Sequence, residues 1–248
     1  MRPLFPVLFL AMALAPAARA DDDAKDIITK AVKATGAKDD GMPLNLSWKD
    51  TGTIQAGGMK LDYTADWHFR GPDALRFDLT AEVMGIKIKL TDVVNGDKVW
   101  EVFGGQVQEL DGDKKDYLKG MAHVLAVVSL TQLAHEKEFR LSTVVGKKVN
   151  DKPTAGVLVE RKDRPVITLY FDRETGLLVK SEMMVKDEFQ GWKEVQDEEY
   201  YEDYKDIGGM KLFSKIRVVR DGKPFIESNL SDVQTPEKLD PKLFEKPK

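Results

Sequence analysis

Leu169-Tyr170-Phe171-Asp172-Arg173-Glu174-Thr175-Gly176-Leu177-Leu178-Val179-Lys180-Ser181-Glu182 is the stretch on which the fold turns. Apolar and aromatic residues lead in, Asp172 to Gly176 carry turn chemistry, and Leu177 to Val179 resume a β-rich run. Gly176 supplies a position free to take positive φ, which short loops often need. The stretch therefore predicts a hairpin. Similar runs surround it: 156–161 and 165–171 before the turn, then 177–185, 195–204, 214–220 and 224–233 after it. The pentapeptide Gly-Gly-Met-Lys-Leu occurs at 57–61 and again at 208–212, which predicts two hairpins built with the same chemistry.

Toward the N-terminus the period is again two. Met59, Leu61, Tyr63, Ala65, Trp67 and Phe69 alternate with Lys60, Asp62, Thr64, Asp66, His68 and Arg70, the pattern of a half-buried strand. Gly71-Pro72-Asp73 turns the chain into Leu75, Phe77 and Leu79; Ile86, Ile88 and Leu90 repeat the alternation, and Asn95-Gly96-Asp97 marks another hairpin before 99–103. Consecutive strands joined by tight turns predict an antiparallel meander with one apolar face and one wet face.

Two segments break the β pattern. In 23–35 an Asp cap precedes Ile27, Ile28, Ala31 and Val32 at helical spacing, and Gly36 ends the run. In 113–136, Tyr117, Met121, Val124, Leu125 and Val128 fall at helical steps, with Leu130 and Leu133 extending a second apolar line. A helix this apolar is expected to lie against the apolar face of the sheet, as packed core or as a lid over a lipid-sized cavity.

The chain has 248 residues, no cysteine and a net charge of −4. Residues 1–20 have the layout of a cleaved secretory signal: Arg2, an apolar run from Leu4 to Ala15, then Ala18-Arg19-Ala20 before an acidic start. That run is too short for a membrane span. Export to the periplasm and a single mature domain over 21–248 follow. Cleavage removes Arg2 and Arg19 and no acid, so the mature chain is more acidic still, which argues against nucleic-acid binding. No Gly-x-Ser-x-Gly elbow, Walker loop or zincin helix is present, and His68, His123 and His135 lack metal-ligand spacing. His68 is expected on the wet side of its strand and the acidic run 197–203 on a solvated strand. No catalytic residue, metal or cofactor is expected.

The runs 170–178 and 201–212, together with the closing Leu239-Asp240-Pro241-Lys242-Leu243-Phe244-Glu245-Lys246-Pro247, resemble the outer-membrane lipoprotein carrier (LolA/LolB-like) superfamily, and most closely its secreted bacterial branch. The resemblance implies an α+β, mostly β fold: a strongly curved antiparallel sheet, an unclosed half-barrel. An N-terminal helix and mid-chain helices would cover its concave apolar face. It also implies a periplasmic carrier of lipoprotein acyl chains or other lipids, monomeric, with envelope lipoprotein-export components as possible partners. The interior arginine of the classic carriers has no aligned counterpart in this chain. The expected cavity lies between Leu61, Tyr63, Trp67, Phe69, Phe77, Ile86 and Ile88 on the sheet and Tyr117, Met121, Val124, Leu125 and Val128 on the helix. The alternative is an envelope sensor or protein-interaction module with the same fold and a filled core.

Overall fold

The computed structural model describes residues 23–38, 44–133, 135 and 137–248; the leader predicted over 1–20 lies outside them. Helix α1 (Ala24–Thr35) starts at Asp23, whose carboxylate accepts from Lys25 N–H, and stops at Gly36, which takes the left-handed conformation. A meander follows: β1 (Asn45–Ala56), β2 (Met59–Arg70), β3 (Ala74–Val83), β4 (Ile86–Asn95), β5 (Lys98–Phe103) and β6 (Gln106–Glu109). Helix α2 (Gly112–Val128) crosses next. After it come β7 (Phe139–Val144), β8 (Lys148–Val149), β9 (Lys152–Arg161), β10 (Ile167–Asp172), β11 (Leu178–Asp187) and β12 (Lys193–Glu202). The hairpin β13 (Lys205–Ile207) and β14 (Met210–Leu212) precedes β15 (Lys215–Arg220) and β16 (Lys223–Gln234).

All but β13 and β14 form one antiparallel sheet, ordered β6-β5-β4-β3-β2-β1-β16-β15-β12-β11-β10-β9-β7 with β8 beside β9. The late strands β16 and β15 close the gap between two hairpin-built halves, so β1 pairs β16 along its length. The sheet is not closed into a barrel: β6 and β7 are its edges. Register shifts at 47/49, 170/171 and 218/219 mark bulges, which bend and twist the strands that carry them.

The deciding stretch is the β10–β11 hairpin, with Asp172 N–H donating to Leu177 O at 2.9 Å and Gly176 N–H to Asp172 O at 2.8 Å. Asp172 also accepts through its carboxylate from Glu174 N–H (2.9 Å), Thr175 N–H (2.8 Å) and the Thr175 hydroxyl (3.1 Å). The tip is pressed against α1. Gly176 has φ +74°, and a Cβ there would lie 3.2 Å from the Ala34 methyl. At the end of the same helix a Cβ on Gly36 would lie 2.5 Å from Gly209 O, in the β13–β14 turn. The two Gly-Gly turns at 57–58 and 208–209 do the same job at different places in the fold.

Burial of Asp172 opposes ionisation, but the bonds from Thr175 and Glu174 outweigh it and hold its pKa below the ordinary carboxylate value. Asp172→Ala is expected to cost about 1–3 kcal/mol in urea unfolding at neutral pH. Because the folded pKa is depressed, that contribution is present above the unfolded value of about 3.9 and is lost as pH falls through the lower folded value. The difference between variant and wild type therefore shrinks in acid; a difference constant down to pH 2 would contradict the assignment.

Helix α2 ends at Val128, not at Glu136 as the apolar pattern suggests. Leu130 turns the chain with φ +65°, and Leu130 and Leu133 are buried in the turns that follow. Helical geometry divides α2 into stripes. Leu118, Ala122 and Ala126, four apart, pack with Trp48, Phe69, Leu75, Phe77, Val94 and Val99 on the first half of the sheet. Val127, with Leu130 and Leu133, joins α1 and strands β7, β9, β10, β11 and β12 in a second cluster. Ion pairs tie the helix to the sheet through Lys114–Glu101, Lys119–Asp97 and Asp113–Lys186.

Candidate functional site: a cavity between helix and sheet

The third stripe of α2 faces neither cluster squarely. Tyr117, Met121, Val124, Leu125 and Val128 recur at steps of four, three, one and three, which is one helical face, and all five line a space of about 180 Å³ under the sheet. Across it stand Trp48, Tyr63 and Trp67 from β1 and β2, Met183 and Val185 from β11, and Ile216 and Val218 from β15. A second space of about 80 Å³ adjoins it and shares Trp48, Leu125, Val128, Phe213 and Ile216 as walls. That smaller space is bounded mainly by apolar side chains, among them Leu44, Leu46, Leu178, Leu212, Leu230 and Val233, with Thr35, Ser129, Tyr204 and Lys211 also on its lining. Trp48 and Trp67 stack at 5.4 Å and Trp67 on Phe77 at 4.6 Å; Trp48 lines both spaces and Trp67 the larger one.

Of the residues expected to line a cavity, the structure brings together Tyr63, Trp67, Tyr117, Met121, Val124, Leu125 and Val128. The others lie elsewhere. Phe69 and Phe77 are buried in the packed cluster beyond the cavity floor. Leu61 and Ile88 are half-buried outside the cavity wall, and Ile86 is 68% exposed. Along β2, exposure falls from 49% at Met59 to 0% at Phe69, because α2 covers only the far half of that strand. Alternation reports which face a side chain takes; it does not report how far along the strand the helix reaches.

The polar part of the wall departs from expectation. The run 197–203 does not form a solvated strand. In β12, Val195, Asp197, Glu199 and Tyr201 share the inward parity, and Asp197 and Tyr201 are almost wholly buried. Arg220 on β15 pairs with Asp197 through two bonds, Nε to Oδ1 at 2.8 Å and Nη2 to Oδ2 at 2.7 Å. Its Nη1 lies 3.4 Å from Asp187, and the guanidinium stacks on Phe225 at 3.6 Å. Asp50 accepts from the Tyr63 hydroxyl at 3.0 Å and from the Ser228 hydroxyl. Burial pushes its pKa up against those bonds. Glu199 accepts from the Tyr201 hydroxyl at 2.7 Å, and burial, with Asp197 adding to it, pushes its pKa up to about 7. Tyr117, across from them on the helix, is raised to about 12 by burial.

The histidines lie away from this space. His68 is half-buried instead of wet, on the opposite parity of β2, and burial lowers its pKa. His123 is buried, its ring 6.1 Å from that of Phe139, and burial takes its pKa down to about 4, with Arg161 and Arg164 contributing. No group of three or more acids, histidines or cysteines suited to a metal occurs among the described residues.

No family model and no curated protein matches the sequence. Solved structures do match its fold. A LolA superfamily protein from Nitrosomonas europaea superposes with a TM-score of 0.60 at 13% identity, over 91% of this chain and 98% of that one. A DUF1329 family protein from Desulfovibrio piger gives 0.58 at 14% identity, over 90% and 98%. A putative outer membrane lipoprotein-sorting protein domain from Vibrio parahaemolyticus gives 0.55 at 11%, over 90% and 96%. At such identities the likeness is one of fold, and the fold is LolA-like: a large unclosed antiparallel sheet with helices on its inner side.

Proposed function

We propose that this protein is a periplasmic carrier or binding protein for lipoprotein acyl chains or other lipids, with the chain held between α2 and the sheet. The observation that carries the reading is the third stripe of α2. Five consecutive positions on one helical face are apolar or aromatic, yet they border about 180 Å³ of space where a packed core would fill it. An apolar chain placed there gains roughly 0.8 kcal/mol per buried CH₂. Met121 and Met183, on opposite walls, suit an irregular guest because their unbranched side chains adapt. The fold shared with a LolA superfamily protein and with a lipoprotein-sorting domain supports the same reading. The predicted leader would deliver one mature domain, residues 21–248, to the compartment where such cargo passes, there to meet lipoprotein-export components.

The test is native mass spectrometry of the protein released from bacterial envelopes by mild extraction. The expected result is a one-to-one adduct with the mass of a lipid or acylated peptide. A bare polypeptide that also takes up no acyl chain after delipidation would overturn the reading.

A further inference from the structure

One row of paired residues crosses the first half of the sheet: Trp48, Trp67, Phe77, Asp92, Glu101 and Gln108, on β1 to β6 in turn. It begins as the aromatic stack beside the cavity and ends in two acids and an amide. Asp92 and Glu101 are direct cross-strand neighbours, a placement that sets Cβ atoms about 5 Å apart. They are 2% and 5% exposed. Like charges directly opposite each other oppose strand pairing, and burial makes an unmatched charge costlier still.

The two acids are not equally provided for. Glu101 accepts through Oε2 from Lys114, in the first turn of α2, and through Oε1 from the Gln108 amide at 2.6 Å. Asp92 Oδ1 is buried and has no hydrogen-bond partner among the described residues. The charges that face Asp92 are Glu101 from β5, Glu188 from the β11–β12 turn and Lys114 from α2: two acids, and one cation that Glu101 already holds. On the β3 side its neighbour is the apolar Phe77. A buried carboxylate oxygen without a donor calls for a physical reason, and a proton meets it, since a protonated carboxyl is neutral and carries a donor of its own.

We propose that Asp92 is a proton site that couples the docking of the first turn of α2 on the sheet to pH, so that proton and helix are held together and released together. Burial, with Glu101 adding to it, raises the Asp92 pKa to about 7, against about 3.9 for a solvated aspartate. The docked form therefore binds the proton more tightly than an undocked one. The first turn is held best below about pH 7 and loses its hold as pH rises through that value. The same turn carries Asp113, paired with Lys186 of β11, and leads directly into Tyr117, the first residue of the cavity stripe. The inference does not depend on what the cavity holds.

Hydrogen exchange of the amides in 112–120, corrected for the intrinsic pH dependence of exchange, tests this in the wild type, Asp92→Asn and Glu199→Gln. The wild type is expected to be about tenfold better protected at pH 6 than at pH 8. Asp92→Asn is neutral at both and should change by less than about twofold. Glu199→Gln is the control, because Glu199 faces α2 across the cavity and burial raises its pKa to about 7 as well. It should keep the tenfold response. A wild type with no response, a response kept in Asp92→Asn, or one lost in Glu199→Gln overturns the proposal. Should Asp92→Asn misfold by circular dichroism, carbon-13 titration of the Asp92 carboxyl in the wild type decides: a midpoint near 7 is expected, and one below about 5 overturns the proposal.

Discussion

Arg220→Met is expected to destabilise the protein by about 3–5 kcal/mol, the cost of leaving a buried partner charge uncompensated. The side chain is 8% exposed and is the shared cation of two acids, Asp197 and Asp187. Methionine matches much of its length but leaves Asp197 buried with no cation. Asp187 is better provided for, since it also accepts from Phe189 N–H at 2.9 Å and from the Gln190 amide at 2.8 Å. The double variant Arg220→Met/Asp197→Leu should therefore recover most of the loss, because replacing a buried pair by apolar groups of similar size is often neutral. Urea unfolding of the three proteins measures it. A single-variant loss under about 1 kcal/mol would mean that the pair is solvated and not buried, as exposed pairs are.

Leu125→Trp is expected to abolish most acyl-chain binding while leaving the fold intact. Leu125 borders both spaces, so an indole there takes up room in both. In a filled core such an enlargement costs about 1–3 kcal/mol by overpacking; beside a void of about 180 Å³ the added ring has somewhere to go. Excluding three or four methylenes, at about 0.8 kcal/mol each, lowers affinity by roughly 50- to 200-fold. The pair of readouts decides between the two views of this interior. Reduced binding with unchanged stability supports a guest cavity. Reduced stability with unchanged binding means that the helix stripe is ordinary core and that lipid, if bound at all, binds elsewhere.

The distribution of legible and hidden features has physical causes. Helix α1 was legible to the residue because its cap, its apolar stripe and its terminal glycine are all local signals: Asp23, Ile27 to Val32, Gly36. The β2 alternation was legible for the same reason. The end of α2 was not, because Leu130 and Leu133 keep the apolar spacing going after the backbone has left the helix at Val128. The helix wall of the cavity could be read from periodicity alone, since one stripe of α2 supplies it. The sheet wall could not. Most of it comes from β11, β12, β15 and β16, whose approach to β1 is a long-range pairing with no local signature.

Asp197, Glu199 and Arg220 are the clearest case. Charged residues on a strand suggest solvent, and only the pairing Asp197↔Arg220 across β12 and β15 shows why they turn inward. One signal was available: Asp197, Glu199 and Tyr201 keep the parity of buried Val195. That parity, weighed above charge, would have placed them inside.

In the proposed carrier an apolar chain lies between the α2 stripe and the sheet. Photocrosslinking with a diazirine-bearing fatty alcohol, followed by peptide mapping, tests this most directly. The predicted result is label on Met121, Leu125, Trp48, Trp67 and Phe213, suppressed in Leu125→Trp. Label confined to exposed positions such as Met84, Ile86 and Phe103, with none on α2, would contradict it.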